Sequence, residues 1–553
     1  MKITHINTFD VQGGAARAAY RLHQGLLKIG ENSRILCRYK TSQDNTVIQL
    51  IADNEQNSTD LAEFRYLQTH YIDNRRTSLT NTLFSFSYPG IDLAQLPIIQ
   101  NSDVINLHWV AYQFQSPLTI KNLLQLGKPI IWTLHDMWPF TGGCHYSASC
   151  QGYETECFNC PQLADDIFGL TSAILQDKLA FSNFPNLVIV TPSQWLADCA
   201  TKSQVFCHNR VEVIPYSLNA EVFAAIPKSS AKASLNINPE EIVLLVGASS
   251  AKERRKGFYE LIEVLKICQQ NEQFTQLIIN NKIRICCFGE TIHNFQELEL
   301  KVTSFALIDS DEKLSLIYSA ADIFILPSLE DNLPNTMLES MSCGTPVIGF
   351  NIGGIPDLVK DDITGFLSPE NDLQTMADKI IELIFNSSLR QNMSNNCRQI
   401  VLNNYALEIQ ANNYLNLYRK LVNYQDRNLE NDQNQEPNHK LSVYLDTNCL
   451  QNFNDIKPNI ISYSLNQEIR LLQQLNNHHK NDIEELYNIL NNKDLHIERT
   501  ETLLSEFSIE LTKTQAKLNE SNTLVKAMES SKFWQLRGKW FILKRKLGIK
   551  EEK

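Results

Sequence analysis

The sequence predicts an α/β protein built from two doubly wound halves, each a parallel sheet wrapped by helices, facing one another across a cleft and followed by a helical extension. Three observations predict it. Short apolar runs alternate with amphipathic helical patterns through about the first 400 residues, as parallel strands joined by helical crossovers require. The composition then changes abruptly after Val422. Beyond that change an apolar residue recurs at every seventh position, the period of a helix that packs along a partner helix. With 553 residues the chain has room for about three to four ordinary domains, so two sheets and an extension fit its length. A net charge of -12 argues against general nucleic-acid binding, because a phosphate backbone is met by clustered cations. No apolar run approaches membrane-spanning length, and "MKITHINTF" alternates like a first strand instead of opening a signal peptide. Thirteen cysteines, an odd number, scattered as in "ICCFG" and "MSCGT", read as reduced, buried thiols. These features together predict a cytoplasmic protein, soluble or peripheral at a membrane.

In chain order, "FDVQGGAARAAYRLHQGLLKIG" places Gly13 and Gly14 between a strand and an amphipathic helix that carries Arg17 one turn in. Glycines there let backbone N–H groups approach a phosphate, and a tight structural turn is the competing reading. The runs "DVINLHWV", "KPIIWTLHD", "LVIVTPS", "EIVLLVGAS", "IRICCFG" and "ADIFILPS" read as buried strands. His108 and His135 each follow such a strand, which puts them at the lip of a cleft; Asp136 would then set the tautomer of its neighbour. Cys144, Cys150, Cys157 and Cys160 crowd one loop with a C-x2-C pair at its end. Four thiolates would close a structural zinc site with no open position for catalysis, against the alternative of a loop of free thiols.

In "VGASSAKERRKGFYELIEVL" a strand gives way to a polar loop, and Lys256-Gly257 opens a helix. Cations there suit a phosphate group, and a solvated run of basic residues is the competing reading. Then comes "LPSLEDNLPNTMLESMSCGTPVIGFNIGGIPDLV", a buried strand, a loop, a helix start and a second strand. Asp331 and Glu339 lie eight residues apart, Asn332, Leu333 and Pro334 fill the loop, and Asn335 or Thr336 is placed to cap the helix. A helix N-terminus suits a diphosphate, and carboxylates beside it suit sugar hydroxyls.

This last segment resembles the donor-binding signature of retaining glycosyltransferase family 4, whose members have the GT-B fold. The acid pair of that family falls on Asp331 and Glu339, with Asp in place of the usual first Glu and "NLPN" in place of a glycine-rich loop. The resemblance covers about Met1 to Val422 and sits close to a branch that builds exopolysaccharides. It implies a first domain over 1–217 that takes the acceptor, a donor domain over 218–404 entered through "VEVIPYSLNAEVF", and a terminal helix over 405–422 that returns to the first domain. It further implies that His135, Asp331 and Lys256 are catalytic. Gly14, Arg255, Lys256, Asp331, Asn332, Leu333, Asn335, Thr336 and Glu339 would hold a UDP- or GDP-sugar, with Arg254 as the alternative to Arg255, and His108 would line the acceptor pocket. No metal is needed for catalysis on this reading.

After Val422, "NYQDRNLENDQNQEPNHK" begins a polar linker over 423–462. Ile483, Leu490, Ile497, Leu504, Leu511, Leu518 and Val525 then form the heptad stripe of a coiled coil over 463–530, which would pair two copies of the chain, against the alternative of a long helix folded back on the rest of the chain. The tail over 531–553 interleaves aromatic and basic residues, as a helix lying on an anionic membrane or docking on a protein partner would. The function expected is hexosyl transfer to a glycan or lipid-linked glycan, with retention. An inactive scaffold of the same fold is the alternative. A nicotinamide-dependent sugar-nucleotide enzyme is disfavoured, because no G-x-G-x-x-G fingerprint holds that cofactor.

Overall fold

The computed structural model describes residues 1–53, 59–248, 250, 252–289, 295, 298–308, 310–422, 440–491 and 497–530. The chain divides into two compact units, 1–455 and 456 onward. The first eight strands are β1 (Lys2–Phe9), β2 (Asn32–Tyr39), β3 (Val47–Ala52), β4 (Gly90–Ile91), β5 (Val104–Leu107), β6 (Ile130–Thr133), β7 (Leu187–Thr191) and β8 (Arg210–Val213). All but β4 join one parallel sheet in the order β3-β2-β1-β5-β6-β7-β8. The second sheet is β9 (Ile242–Ala248), β10 (Ile283–Gly289), β11 (Lys301–Ser304), β12 (Ile323–Leu326), β13 (Val347–Phe350) and β14 (Gly365–Ser368). It is also parallel, in the order β11-β10-β9-β12-β13-β14.

Strands buried on both faces need no polar alternation, which is why runs such as Ile323–Leu326 and Leu187–Thr191 are apolar throughout. In each sheet the order reverses beside the first strand: β1 lies between β2 and β5, and β9 between β10 and β12. Loops leaving the carboxyl ends diverge at that point and open a crevice.

The helix Leu407–Leu421 packs in the core of the first sheet with the helix Gly14–Lys28, through Leu22, Leu26, Ala411, Tyr414 and Tyr418. Its two buried tyrosines also hydrogen-bond the sheet: Asn106 Nδ2 donates to Tyr418 Oη at 2.9 Å, and Tyr414 Oη meets Thr133 Oγ1 at 3.0 Å.

Residues 440–446, expected in a polar linker, pair with strands of the first unit. β15 (Lys440–Val443) adds to the edge of the first sheet beside β3, and β16 (Leu445–Asp446) pairs with β4. The apolar residues of this short stretch explain the difference: Val443, Leu445 and Phe453 are buried. Phe453 stacks on Tyr88 at 5.3 Å and meets Phe86 edge-on at 4.9 Å, while Asp177 accepts the backbone N–H groups of Asn452 and Phe453.

The heptad stripe expected over 463–530 falls on two described helices, Gln451–Asn491 and Ile497–Ser530. The basic aromatic tail expected over 531–553 lies outside the described residues. Among the described residues no helix is long and apolar enough to cross a membrane.

Replacing Phe453 by Ala removes a fully buried ring and is expected to destabilise the first unit by about 3 kcal/mol, read as a lower midpoint in urea unfolding. An unchanged midpoint would show that residues 440–455 are not part of its core.

Candidate functional site

Loops at the carboxyl ends of strands, among them those after β1, β6, β8, β9 and β12, meet around one cavity of about 1000 Å³. Gly14, His135, Arg255, Lys256, Asp331, Asn332, Leu333, Asn335, Thr336 and Glu339 all line it. Residues up to 321 positions apart in sequence are thereby brought together.

The loop after β12 is fixed electrostatically. Asp331 is buried, accepts from Lys256 Nζ at 2.7 Å and lies 3.2 Å from Arg255 Nη1. Burial alone would raise the Asp331 pKa, yet Lys256 and Arg255 outweigh it and hold it at about 2. Burial and the neighbouring Arg255 lower the Lys256 pKa, with Asp331 opposing them. Arg255 also lies over the ring of Tyr146, 4.0 Å from its centroid. Arg254 turns away to Glu260 at 2.6 Å, so only one of the two candidate arginines reaches the cavity. Two glycines permit the approach. Gly257 has φ +69°, and a Cβ there would fall 1.7 Å from the carbonyl oxygen of Pro327. Gly353, with φ +55°, would place one 1.9 Å from the carbonyl oxygen of Asp331.

The helix Asn335–Ser342 starts without a side-chain cap, with Pro334 in the N-cap position. This corrects the expectation that Asn335 or Thr336 caps it. Asn335 is the first helical residue, and its side chain is drawn across the cleft, donating to Gly14 O at 2.9 Å and accepting from Arg21 at 3.2 Å. Pro334, Asn335 and Thr336 line the cavity, so the uncapped end of the helix faces it. Glu339 is buried one turn further on. It accepts from Arg21 Nη2 at 2.6 Å and from Tyr318 Oη at 3.2 Å. Arg17 is 3.9 Å from the same carboxylate and pairs with Asp311. Of the glycine pair it is Gly13 that takes positive φ, at 87°.

Both ring nitrogens of His135 are engaged, one with Tyr216 Oη at 2.7 Å and one with His108 at 3.1 Å. Burial lowers its pKa to about 4, against the opposing charge of Asp136. Asp136 does not set its tautomer, because that carboxylate accepts from His145 Nδ1 at 2.6 Å and Trp109 Nε1 at 2.7 Å. His108 is buried behind His135 and is not among the cavity's lining residues.

Sequence reasoning missed Arg21, Tyr146 and Tyr216. The available signal for Arg21 was its spacing: it follows Arg17 by one turn of an otherwise apolar helix face.

Cys144, Cys150, Cys157 and Cys160 line a second, small cavity of about 20 Å³. Among the described residues, however, no three His, Cys, Asp or Glu side chains are grouped as a metal ion requires. Cys150 and Cys157 accept backbone N–H bonds from Gly152 and Gly142, each at 3.3 Å. Burial pushes the Cys157 thiol up to about 12 and Cys160 up to about 11, which favours the protonated form. The loop also reaches the second half, since Glu330 accepts the N–H groups of Ser147 at 3.1 Å and Ala148 at 3.0 Å.

Residues 228–400 match the family described as Glycosyl transferases group 1. The matched residues hold the second sheet from β9 to β14. Over more of its length the chain is similar to a putative colanic acid biosynthesis glycosyl transferase of Escherichia coli K12, 22% identical over 441 residues, 75% of this chain and 100% of that protein. It is also similar to a UDP-Gal:alpha-D-GlcNAc-diphosphoundecaprenol alpha-1,3-galactosyltransferase of Escherichia coli, 28% identical over 220 residues, 38% of this chain and 55% of that protein. Among solved structures, a sucrose-phosphate synthase of Thermosynechococcus elongatus matches with a TM-score of 0.52 at 18% identity, over 76% of this chain and 99% of that one. The last likeness is one of fold: two facing parallel-sheet halves, as in GT-B proteins.

Asp331 is held below its ordinary value of 3.8, so its ion pairs stabilise the fold above about pH 4 and are lost as the pH falls toward about 2. Asp331→Asn should abolish a pH-dependent change in stability of about 2 kcal/mol across that window. Urea midpoints measured for both proteins across the window check this. Parallel profiles would contradict the pairing.

Proposed function

We propose that this protein transfers a hexosyl group from a UDP- or GDP-sugar to a glycan or lipid-linked glycan acceptor during polysaccharide synthesis. One observation carries the reading. Two cations, Arg255 and Lys256, and the uncapped end of the helix Asn335–Ser342 line the same large cavity as two buried carboxylates, Asp331 and Glu339. That combination suits a sugar joined to a diphosphate: cations and free N–H groups for the phosphates, carboxylates for hydroxyls. The group 1 match over 228–400 supports the activity, and the named relatives support a glycan product and an acceptor on a lipid diphosphate.

On this reading the diphosphate enters beside Lys256 and Arg255 and takes over part of the positive charge now spent on Asp331. As the bond to the sugar breaks, negative charge grows on the leaving phosphate, and these fixed cations stabilise it more than they stabilise the bound donor. These fixed charges would serve in place of a divalent metal, so turnover is expected to persist in a chelator. Glu339, held by Arg21 and Tyr318, keeps lone pairs for the ribose hydroxyls. Asp331 and Asn332 face the sugar, and the anomeric configuration is retained.

Purified protein incubated with a panel of UDP- and GDP-sugars should release nucleoside diphosphate, faster when an oligosaccharide acceptor is added. Lys256→Ala should lower kcat by about a hundredfold. Glu339→Ala should weaken nucleotide binding by about tenfold. Full activity in both variants would sink the assignment, and release of no diphosphate by the parent protein would favour the inactive scaffold.

A further inference from the structure

A buried row of imidazoles runs behind the cavity. His5 lies within β1, His108 follows β5 and His135 follows β6, three strands that are adjacent in the sheet. His5 Nδ1 is 2.9 Å from His108 Nε2, and His108 Nδ1 is 3.1 Å from His135 Nε2. The row ends at Tyr216, whose hydroxyl is 2.7 Å from His135 Nδ1. All four side chains are buried, and of the four only His135 and Tyr216 line the cavity. At the far end, His5 Nε2 has no hydrogen-bond partner.

Burial lowers the pKa of each ring, so each is neutral and carries one N–H. A row of neutral imidazoles can then run in two directions. In the first, His5, His108 and His135 all donate from Nδ1, the last to the oxygen of Tyr216. The hydroxyl hydrogen of Tyr216 is then left for the cavity, and only a lone pair is unused at His5 Nε2. In the second, every bond is reversed: Tyr216 donates to His135, and His5 keeps a buried N–H on Nε2 that nothing accepts. Buried donors without a partner are rarer than acceptors left unused, so the row runs the first way.

We propose that His5 and His108 are positioning residues that fix the Nδ1–H tautomer of His135, so that Tyr216 offers its hydroxyl hydrogen to a phosphoryl oxygen of the ligand. A phosphoryl oxygen only accepts, and a reversed row would present it with lone pairs. The ligand half of this inference rests on the nucleotide-sugar reading. The tautomer half stands on the protein alone.

Nitrogen-15 NMR of the ligand-free full chain, labelled at histidine and assigned with single His→Gln variants, reads the tautomers. The proton is expected on Nδ1 of His5, His108 and His135, and a proton on Nε2 of any of them overturns the proposal. Titration with UDP and with GDP tests the consequence. Tyr216→Phe should weaken whichever diphosphate binds the parent by about tenfold, the worth of one hydrogen bond to a charged group. His108→Phe should do the same. His108→Gln should restore binding, because its amide both accepts from His5 and donates to His135. The double variant Tyr216→Phe with His108→Phe should bind no more weakly than either single one, since both remove the same donor. Unchanged affinity in Tyr216→Phe, or additive losses in the double variant, overturns the coupling. If the parent binds neither diphosphate, the ligand half falls together with the nucleotide-sugar reading, while the tautomers still decide the other half.

Discussion

A carboxylate buried between two cations, Asp331 against Lys256 and Arg255, sets where the loop after β12 lies. Removing one partner of such a cluster would leave an uncompensated charge in a region of low dielectric, which costs several kcal/mol. The loop therefore has little freedom. From it follow the start of the helix Asn335–Ser342, the position of Glu339 and the orientation of Asn332. The same cations are what a diphosphate would seek. A site built this way holds its charges ready, with a carboxylate standing in for the ligand.

Beside the packing of Ala18 and Tyr216 on the second half's core, polar contacts join the two halves, and several of them touch residues that line the cavity. Arg21 of the first half grips Glu339, Asn335 reaches Gly14, and Asn332 bridges Ser193 at 2.5 Å and the carbonyl of His135 at 3.1 Å. Glu330 and Tyr146 tie the cysteine loop to the same strand end. Polar contacts of this kind can be exchanged for water or ligand at modest net cost, whereas a packed apolar seam cannot. The helix Leu407–Leu421 completes the link, leaving the second half and packing on the first through buried tyrosines.

Much of the site was legible because it is local. The acids Asp331 and Glu339, the pair Arg255-Lys256 and His135 each announce themselves by residue type at the end of a strand pattern, and the structure puts all of them on one cavity. What was misread depends on distant partners. Asn335 looked like a cap, but Gly14 and Arg21, more than 300 residues earlier, draw its side chain away. Asp136 looked like the partner of His135, but His145 and Trp109 compete for it. Residues 440–455 looked like linker because their apolar residues are sparse, yet a few suffice when a sheet edge and the Tyr88 ring are there to receive them.

The sequence by itself determined the alternation of strands and helices, the two parallel sheets and the residue types gathered at their carboxyl ends, because period, turn chemistry and the polarity of short runs are local properties of a chain. Only the tertiary structure decided which arginine enters the cavity, that Arg21 reaches Glu339 from the opposite half, and that three histidines on neighbouring strands form one hydrogen-bonded row. Those outcomes depend on sheet order and on the approach of two sheets that lie far apart in the chain, and no local pattern carries that information.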